Sequence, residues 1–415
     1  MLKAVVFNLG CKVNQYECDV LASELASIGY QTSETLKTAD LYIINTCAVT
    51  GEAERKSRQI ISRIKKLNEN ADIVITGCAS QKNKDFYISK KVKYVSGVGG
   101  KQSILDEIRK GLNVGDFVSP IIYEEPNTLP TAQRSRSYVK IQDGCNNYCT
   151  YCIIPYLRGR SRSRLINSCV QEIKAVAQKT PEVVITGVNL AQYGVDNNES
   201  LAELMIALKD LDVRIRLGSF YVEGINDDLL SALKQLKDFC PHFHLSLQHG
   251  DDMVLKSMNR HYTVDEYKEK VALIRKYFPL AAITTDIIVG FPGETEHAFE
   301  NMLAFVQEVK FADIHIFPFS PREGTKAYQM PQIAPDIIKE RKNKLKKVRD
   351  VLHESYINLM LNSPQNVIFE TEDHGLKVGY SQYYIRIYAR TTKKCAIIKP
   401  KAKYLDGIIG EDCYE

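Results

Sequence analysis

The sequence predicts an α/β protein with three parts: an N-terminal open parallel α/β sheet, a central (β/α)6 barrel or partial barrel, and a small C-terminal β-barrel. Three observations carry this reading. Over residues 1–120 short β-rich runs alternate with amphipathic helical patterns, as buried parallel strands joined by helices require. Between about residues 135 and 330 a strand-then-helix unit recurs six times. From Pro364 onward the helical period is gone and short β patterns replace it.

The first strand is "KAVVFNLG", followed by a helix from about Asn14 to Ile28. "DLYIINTCAV", a helix from about Glu52 to Asn68, and "DIVITGCAS" complete the first unit. "EEPNTLPTAQRSRS", rich in Pro, Ser and Thr, reads as the linker to the second unit, residues 135–355. Its six strand candidates are "YVKIQDG", "EVVITGVNL", "RIRLGSF", "FHLSLQHG", "ITTDIIVGFPG" and "ADIHIFPFS". Helical patterns such as "DDLLSALKQLKDF" and "TVDEYKEKVALIRKYF" separate them. A long basic helix, "IIKERKNKLKKVRDVLHESYINLML", closes that unit, and residues 364–415 hold the strands "NVIFET", "YYIRIYA" and "KCAIIKP".

A 44% hydrophobic fraction with 25% charged residues describes globular material with ample core, and 415 residues exceed one ordinary domain. The net charge of +5 permits a nucleic-acid partner without requiring one. No apolar run approaches the roughly 20 residues of a membrane span, and "MLKAVVFNLG" is a poor signal peptide, so a cytoplasmic location and no membrane partner are expected. In that setting eleven cysteines point to metal or redox chemistry rather than to a disulfide framework.

The cysteines share an address. Cys11 follows the strand "VVFNLG", Cys47 follows "LYIINT" and Cys78 follows "IVITG". Parallel strands place their C-terminal ends side by side, where open α/β sheets bind ligands, so these three converge into a three-thiolate site. Cys145 ends "YVKIQDG" and opens "GCNNYCTYC", which adds Cys149 and Cys152 and then supplies no fourth cysteine. A closed zinc site wants four ligands. Either His242, His244 or His249 reaches in from a later strand, or the loop grips an iron–sulfur cube with one iron open. Cys18, Cys169, Cys240, Cys395 and Cys413 are read as ordinary small hydrophobes.

The cysteine loop after the first strand of a βα barrel resembles that of the radical S-adenosylmethionine enzymes. With the upstream cysteines and the β-rich tail, the chain is similar to the methylthiotransferases of that superfamily, which end in a TRAM β-barrel. "NTCAVTGEAERKSRQ", "KIQDGCNNYCTYCIIPYLRGRSRSR", "TGVNLAQYG", "TDIIVGFPGET" and "FPFSPREGT" resemble the branch acting on threonylcarbamoyl-adenosine at position 37 of tRNA. The other branches act on isopentenyl-adenosine in tRNA and on an aspartate of a ribosomal protein. The sequence departs from the family pattern at "GSFYVEG", so Glu223 is assigned nothing, and at "LQHG", where His249 stands in place of serine.

The resemblance implies two [4Fe-4S] clusters, one on Cys145, Cys149 and Cys152 with S-adenosyl-L-methionine as the missing ligand, the other on Cys11, Cys47 and Cys78. It implies radical removal of the adenine C2 hydrogen, sulfur insertion and methylation, the cofactor carrying the hard chemistry. Tyr151, Gly187, Asn189 and Asp286 are the expected cofactor contacts; no residue is assigned as catalytic. Arg158, Arg160, Arg162 and Arg164, and Lys344, Lys346 and Lys347 of the basic helix, are candidates for tRNA phosphates or solvated faces. The implied partners are the tRNA anticodon loop, a reducing electron donor such as flavodoxin or ferredoxin, and a sulfur donor. The competing reading of another class is a non-catalytic iron–sulfur RNA-binding sensor.

Overall fold

The structure is a computed structural model that describes residues 2–130 and 134–414; residues 131–133 of the expected linker lie outside the described residues. The first sheet has five parallel strands, β1 (Lys3–Asn8), β2 (Gln31–Ser33), β3 (Leu41–Thr46), β4 (Asp72–Gly77) and β5 (Tyr94–Val95), in the order β2-β1-β3-β4-β5. All six residues of β3 are buried, because helices cover both faces of a central parallel strand. Helices α1 (Lys12–Ser27) and α2 (Gly51–Leu67) follow β1 and β3. Thr50 caps α2 by accepting from the Ala53 N–H, with Glu52 and Glu54 in the first turn and Lys65 and Lys66 in the last, as the helix dipole favours.

The central unit curves as two linked sheets. One holds β6 (Arg136–Lys140), β7 (Glu182–Thr186) and β8 (Arg214–Leu217), with the short strand Asp238–Phe239 beyond β8. The other runs from β9 (Ser219–Phe220) through β10 (His242–Leu245) and β11 (Ala282–Val289) to β12 (Asp313–Pro318). The single candidate "RIRLGSF" therefore splits at Gly218, where the chain passes from the first sheet to the second. A Cβ there would lie 3.1 Å from the Ile185 carbonyl oxygen. The expected helix over "DDLLSALKQLKDF" stops at Lys234, since Asp238 and Phe239 pair with Arg214 and Ile215.

The barrel is left open between β6 and β12. The N-terminal unit spans that gap. On the β6 side Glu17 of α1 pairs with Lys140 at 3.3 Å, and on the β12 side Gly51 N–H donates to Ser320 Oγ at 3.1 Å while Arg322 pairs with Glu54.

Helix Pro335–Met360 leads into a closed five-stranded barrel, β13 (Gln365–Asp373), β14 (Leu376–Ser381), β15 (Arg386–Arg390), β16 (Cys395–Tyr404) and β17 (Gly407–Asp412), ordered β13-β14-β15-β17-β16. It docks on the N-terminal ends of the central strands: Arg214 Nη1 donates to Asn366 O and Arg216 Nη2 to Ser381 O, each at 3.2 Å. Tyr384 stacks on His242 with ring centres 4.7 Å apart. No helix among the described residues is long and apolar enough to cross a membrane.

Candidate metal centres

The parallel register brings the upstream cysteines together. Thr46 pairs with Gly77, so Cys47 and Cys78, the next residues of each strand, leave the sheet side by side. Asn8 pairs with Asn45, and Cys11 follows at the N-cap of α1. Asn45 ties this edge together by accepting from Asn14 Nδ2 at 2.9 Å and donating to Glu17 at 2.9 Å. Ser57 of α2 accepts from Cys47 N–H and donates to Cys47 O, fixing that turn.

Arg158 is the residue that joins this edge to the second cysteine loop. It closes the short helix Ile154–Arg158 just after Cys152, and it is 1% exposed. Its Nε donates to Cys78 Sγ at 3.3 Å and its Nη2 to Asn14 Oδ1 at 3.1 Å; that same Asn14 oxygen accepts from Cys11 Sγ at 3.4 Å. Its Nη1 pairs with Glu17 at 3.0 Å and Asp143 at 2.9 Å. Arg158 thus cannot meet an RNA phosphate, and the expectation that it does is corrected: an arginine in a strand-end loop reads as solvated until the packed sheet covers it. Arg162 and Arg164 are buried too, on Asp143 and on Glu172 with Glu125, which leaves Arg160 exposed.

Charge and burial around the thiols fit a metal cluster. Lys101, Lys140, Arg158 and Arg162 surround the carboxylates of Glu17 and Asp143, leaving a buried cationic excess beside Cys78 and Cys11. Burial opposes ionisation of Glu17 and Asp143, but Arg158 beside them wins and holds both carboxyls well below the usual range. Burial pushes the Cys47 thiol up to about 11 and raises that of Cys78, which Arg158 counteracts. Sulfurs around one tetrahedral zinc ion stand about 3.8 Å apart. Among the described residues neither cysteine trio gathers its Sγ atoms within 4.8 Å of one another, a spread wider than one tetrahedral zinc ion needs.

The second loop is held at every turn. Gly144 has φ +71°, and a Cβ there would lie 1.9 Å from the Arg160 carbonyl oxygen, so glycine is required. Cys145 N–H donates to Gly159 O, Cys152 N–H to Cys149 O, and Thr150 N–H to Met258 O. Asn189 Nδ2 donates to Cys145 Sγ at 3.7 Å and Arg260 Nη1 to Cys149 Sγ at 3.6 Å. Such donors stabilise sulfur-borne negative charge and tune a cluster's potential. Burial raises the Cys145 thiol and pushes that of Cys152 up to about 12.

Gly187 and Asn189 follow the end of β7, and Asn189 lies beside Cys145. Gln142 braces them by accepting from Asn189 N–H at 2.7 Å, and Asn189 Oδ1 is buried with no partner among the described residues, free for a ligand. Tyr151 packs on the cluster of Val254, Met258, Phe291, Phe319 and Ala327. Asp286 is engaged by His244 and His315 at 3.2 Å each; burial opposes its ionisation, but these imidazoles hold its carboxyl below the usual range. The three histidines weighed as zinc ligands are occupied elsewhere: His242 on Thr284, His244 on Asp286, His249 on Glu294. Sequence reasoning missed Arg260 and Gln142. Nothing local in "NRHY" marks Arg260.

A model of the radical SAM superfamily matches residues 139–306, and one described as uncharacterized protein family UPF0004 matches residues 3–99. The chain is 39% identical over 388 residues to the threonylcarbamoyladenosine tRNA methylthiotransferase of Thermotoga maritima, covering 91% of this chain and 89% of that one. The chain belongs to the radical S-adenosylmethionine methylthiotransferases. It is 39% identical over 350 residues to the tRNA-2-methylthio-N(6)-dimethylallyladenosine synthase of Thermoanaerobacter sp., covering 80% and 74%. The fold is also that of the radical S-adenosylmethionine methyltransferase TsrM from Kitasatospora setae, with a TM-score of 0.58 at 14% identity over 79% of this chain and 77% of that one. As a radical S-adenosylmethionine methylthiotransferase the chain is an enzyme that uses a [4Fe-4S] cluster and S-adenosylmethionine, which sets the sensor reading aside.

Proposed function

We propose that this methylthiotransferase acts on tRNA, converting N6-threonylcarbamoyladenosine at position 37 of the anticodon loop to its 2-methylthio derivative. Cys145, Cys149 and Cys152 hold the cluster that binds S-adenosylmethionine, and Cys11, Cys47 and Cys78 hold a second. The observation that supports the reading is the buried Arg158, which follows Cys152 in the chain and donates to Cys78 Sγ while pairing with Glu17 and Asp143, so that it ties the barrel loop to the N-terminal cysteine edge. When bound, the clusters and S-adenosylmethionine supply the radical hydrogen abstraction, the sulfur and the methyl group.

The protein's part is to hold and orient. Asn189 and Arg260 steady Cys145 and Cys149, and the spare Asn189 oxygen can accept from the cofactor. The exposed Cys11 leaves its side of the second edge reachable. Arg160 and the exposed Lys344, Lys346 and Lys347 supply cationic contacts for the anticodon stem. A flavodoxin- or ferredoxin-like protein delivers electrons, and a sulfur donor renews the sulfur.

The test is nucleoside mass spectrometry on total tRNA from a strain lacking the gene, rescued with wild type or Cys145→Ala. Loss of 2-methylthio-threonylcarbamoyladenosine, restored by wild type alone, is expected. Loss of the isopentenyl derivative instead would overturn the substrate, and no change in any tRNA nucleoside would overturn the RNA reading.

A further inference from the structure

A cavity of about 270 Å³ runs into the central barrel beside the N-terminal edge, walled by Lys12, Arg136, Arg216, His242 and Asp286 and capped by Tyr384 of the C-terminal barrel. Its acids are already engaged. Asp286 serves His244 and His315, and Asp313 lies 3.6 Å from Arg349. Arg136 is likewise taken up by Glu182 and Glu370.

Several nitrogens on this wall still lack an acceptor. Among the described residues Lys12 forms no ion pair and no side-chain hydrogen bond, and Nη1 of Arg216, a residue 2% exposed whose Nε and Nη2 hold Glu182, meets no acceptor. His242 Nδ1, also buried on the same wall, has no partner either. A buried donor without an acceptor, as Arg216 Nη1 is, is costly, and in a cavity it marks the place of a ligand that supplies one; the half-buried Lys12 lines the same wall. Lys12 and Tyr138 also line the neighbouring depression that holds Cys11, so a group anchored at Lys12 lies next to the second cysteine edge.

We infer that Lys12 and Arg216 form a carboxylate receptor that grips the threonyl carboxylate of the substrate base and so selects it over bases with apolar N6 substituents. The inference rests on the proposed substrate. A carboxylate satisfies Lys12 and Arg216 Nη1, and His242 Nδ1 suits the threonyl hydroxyl. An isopentenyl group would leave Lys12 without a counter-charge and Arg216 Nη1 without an acceptor, which is how polar sites reject analogues lacking the matching group. An RNA phosphate offers the same charge and is separated from the carboxylate by the test.

The test measures affinity of the full-length, cluster-reconstituted protein for three anticodon stem-loops, carrying threonylcarbamoyladenosine, its methyl ester, or plain adenosine. Wild type is expected to bind the acid about 10- to 100-fold more tightly than the ester, the worth of a charge-assisted pair. Lys12→Met should sharply reduce the preference for acid over ester without moving plain adenosine, and Lys12→Arg should restore it. Equal binding of acid and ester by wild type would overturn the inference. So would an equal loss on all three stem-loops in Lys12→Met, which assigns Lys12 to a phosphate. Turnover separates the two readings. Methylthiolation of the acid without discrimination against the ester sinks the receptor alone. Turnover of an isopentenyl stem-loop but not of the acid sinks the proposed substrate and the receptor with it.

Discussion

Replacing Arg158 with methionine tests the bridge between the two cysteine edges. Its guanidinium lies 3.0 Å from Glu17 and 2.9 Å from Asp143, all three side chains nearly inaccessible. At an effective dielectric of 20 each contact is worth about 5 kcal/mol of Coulomb energy, most of it offset by desolvation of the ions. Removing one partner strands the carboxylates, and such losses run to about 3–5 kcal/mol. Lys101, Lys140 and Arg162 remain nearby, which places Arg158→Met near the lower end, about 3 kcal/mol. The loss should appear in denaturant unfolding of the metal-free protein at neutral pH.

The pH dependence sharpens this prediction. In wild type the depressed carboxyls of Glu17 and Asp143 add stability that is complete above their unfolded values, near 4.5 and 3.8, and is lost only as pH falls through their lower folded values. Without Arg158 those folded values rise, so acid unfolding should begin at a higher pH. Iron content gives a second readout: Cys78 loses its donor, so reconstituted Arg158→Met should lose iron from the N-terminal edge while keeping that of the barrel loop. Wild-type stability, wild-type acid unfolding and full iron content together would refute the bridge.

Further outcomes follow from the same geometry. Cys78→Ala and Cys145→Ala should each lose about half of the iron bound by wild type, about four atoms per cube, while the double variant binds almost none; elemental analysis against protein concentration decides. Reversing Lys344, Lys346 and Lys347 to glutamate should weaken tRNA binding and flatten the salt slope by about 2, at ~0.7–0.9 per phosphate contact; unchanged slopes would remove that helix from the interface. Burial, with Asp106 nearby, pushes the Glu24 carboxyl up to about 7, so the folded state holds its proton and loses stability as pH rises from 4.5 through 7. Glu24→Gln should therefore stabilise the protein by about 1 kcal/mol above pH 7, a figure discounted for solvent screening, and leave it unchanged near pH 4. Thermal unfolding across that range reads both arms.

Local pattern determined the elements and the addresses of six cysteines. Six buried residues in a row at Leu41–Thr46 and turn residues at the strand ends are short-range signals, and they placed Cys11, Cys47 and Cys78 on one edge before any pairing was known. The x3–x2 loop was legible for the same reason, since all its ligands lie within eight positions. The break at Gly218 was not, because it depends on which sheet accepts each half of the strand. Nor were the fates of the charged residues. Arg158, Arg162 and Arg164 look alike in sequence to Arg160, and what separates them is burial: Arg158 against α1, about 140 residues upstream, Arg162 on Asp143, and Arg164 on Glu172 with Glu125. Arg260 reaches Cys149 across 111 residues, and Lys12 and Arg216 share a wall only after the N-terminal unit closes the barrel. Ligand spacing is a property of contiguous chain and survives in the sequence. Whether a charge is solvated, paired or left waiting for a ligand is set by what packs over it, and that the tertiary structure alone decides.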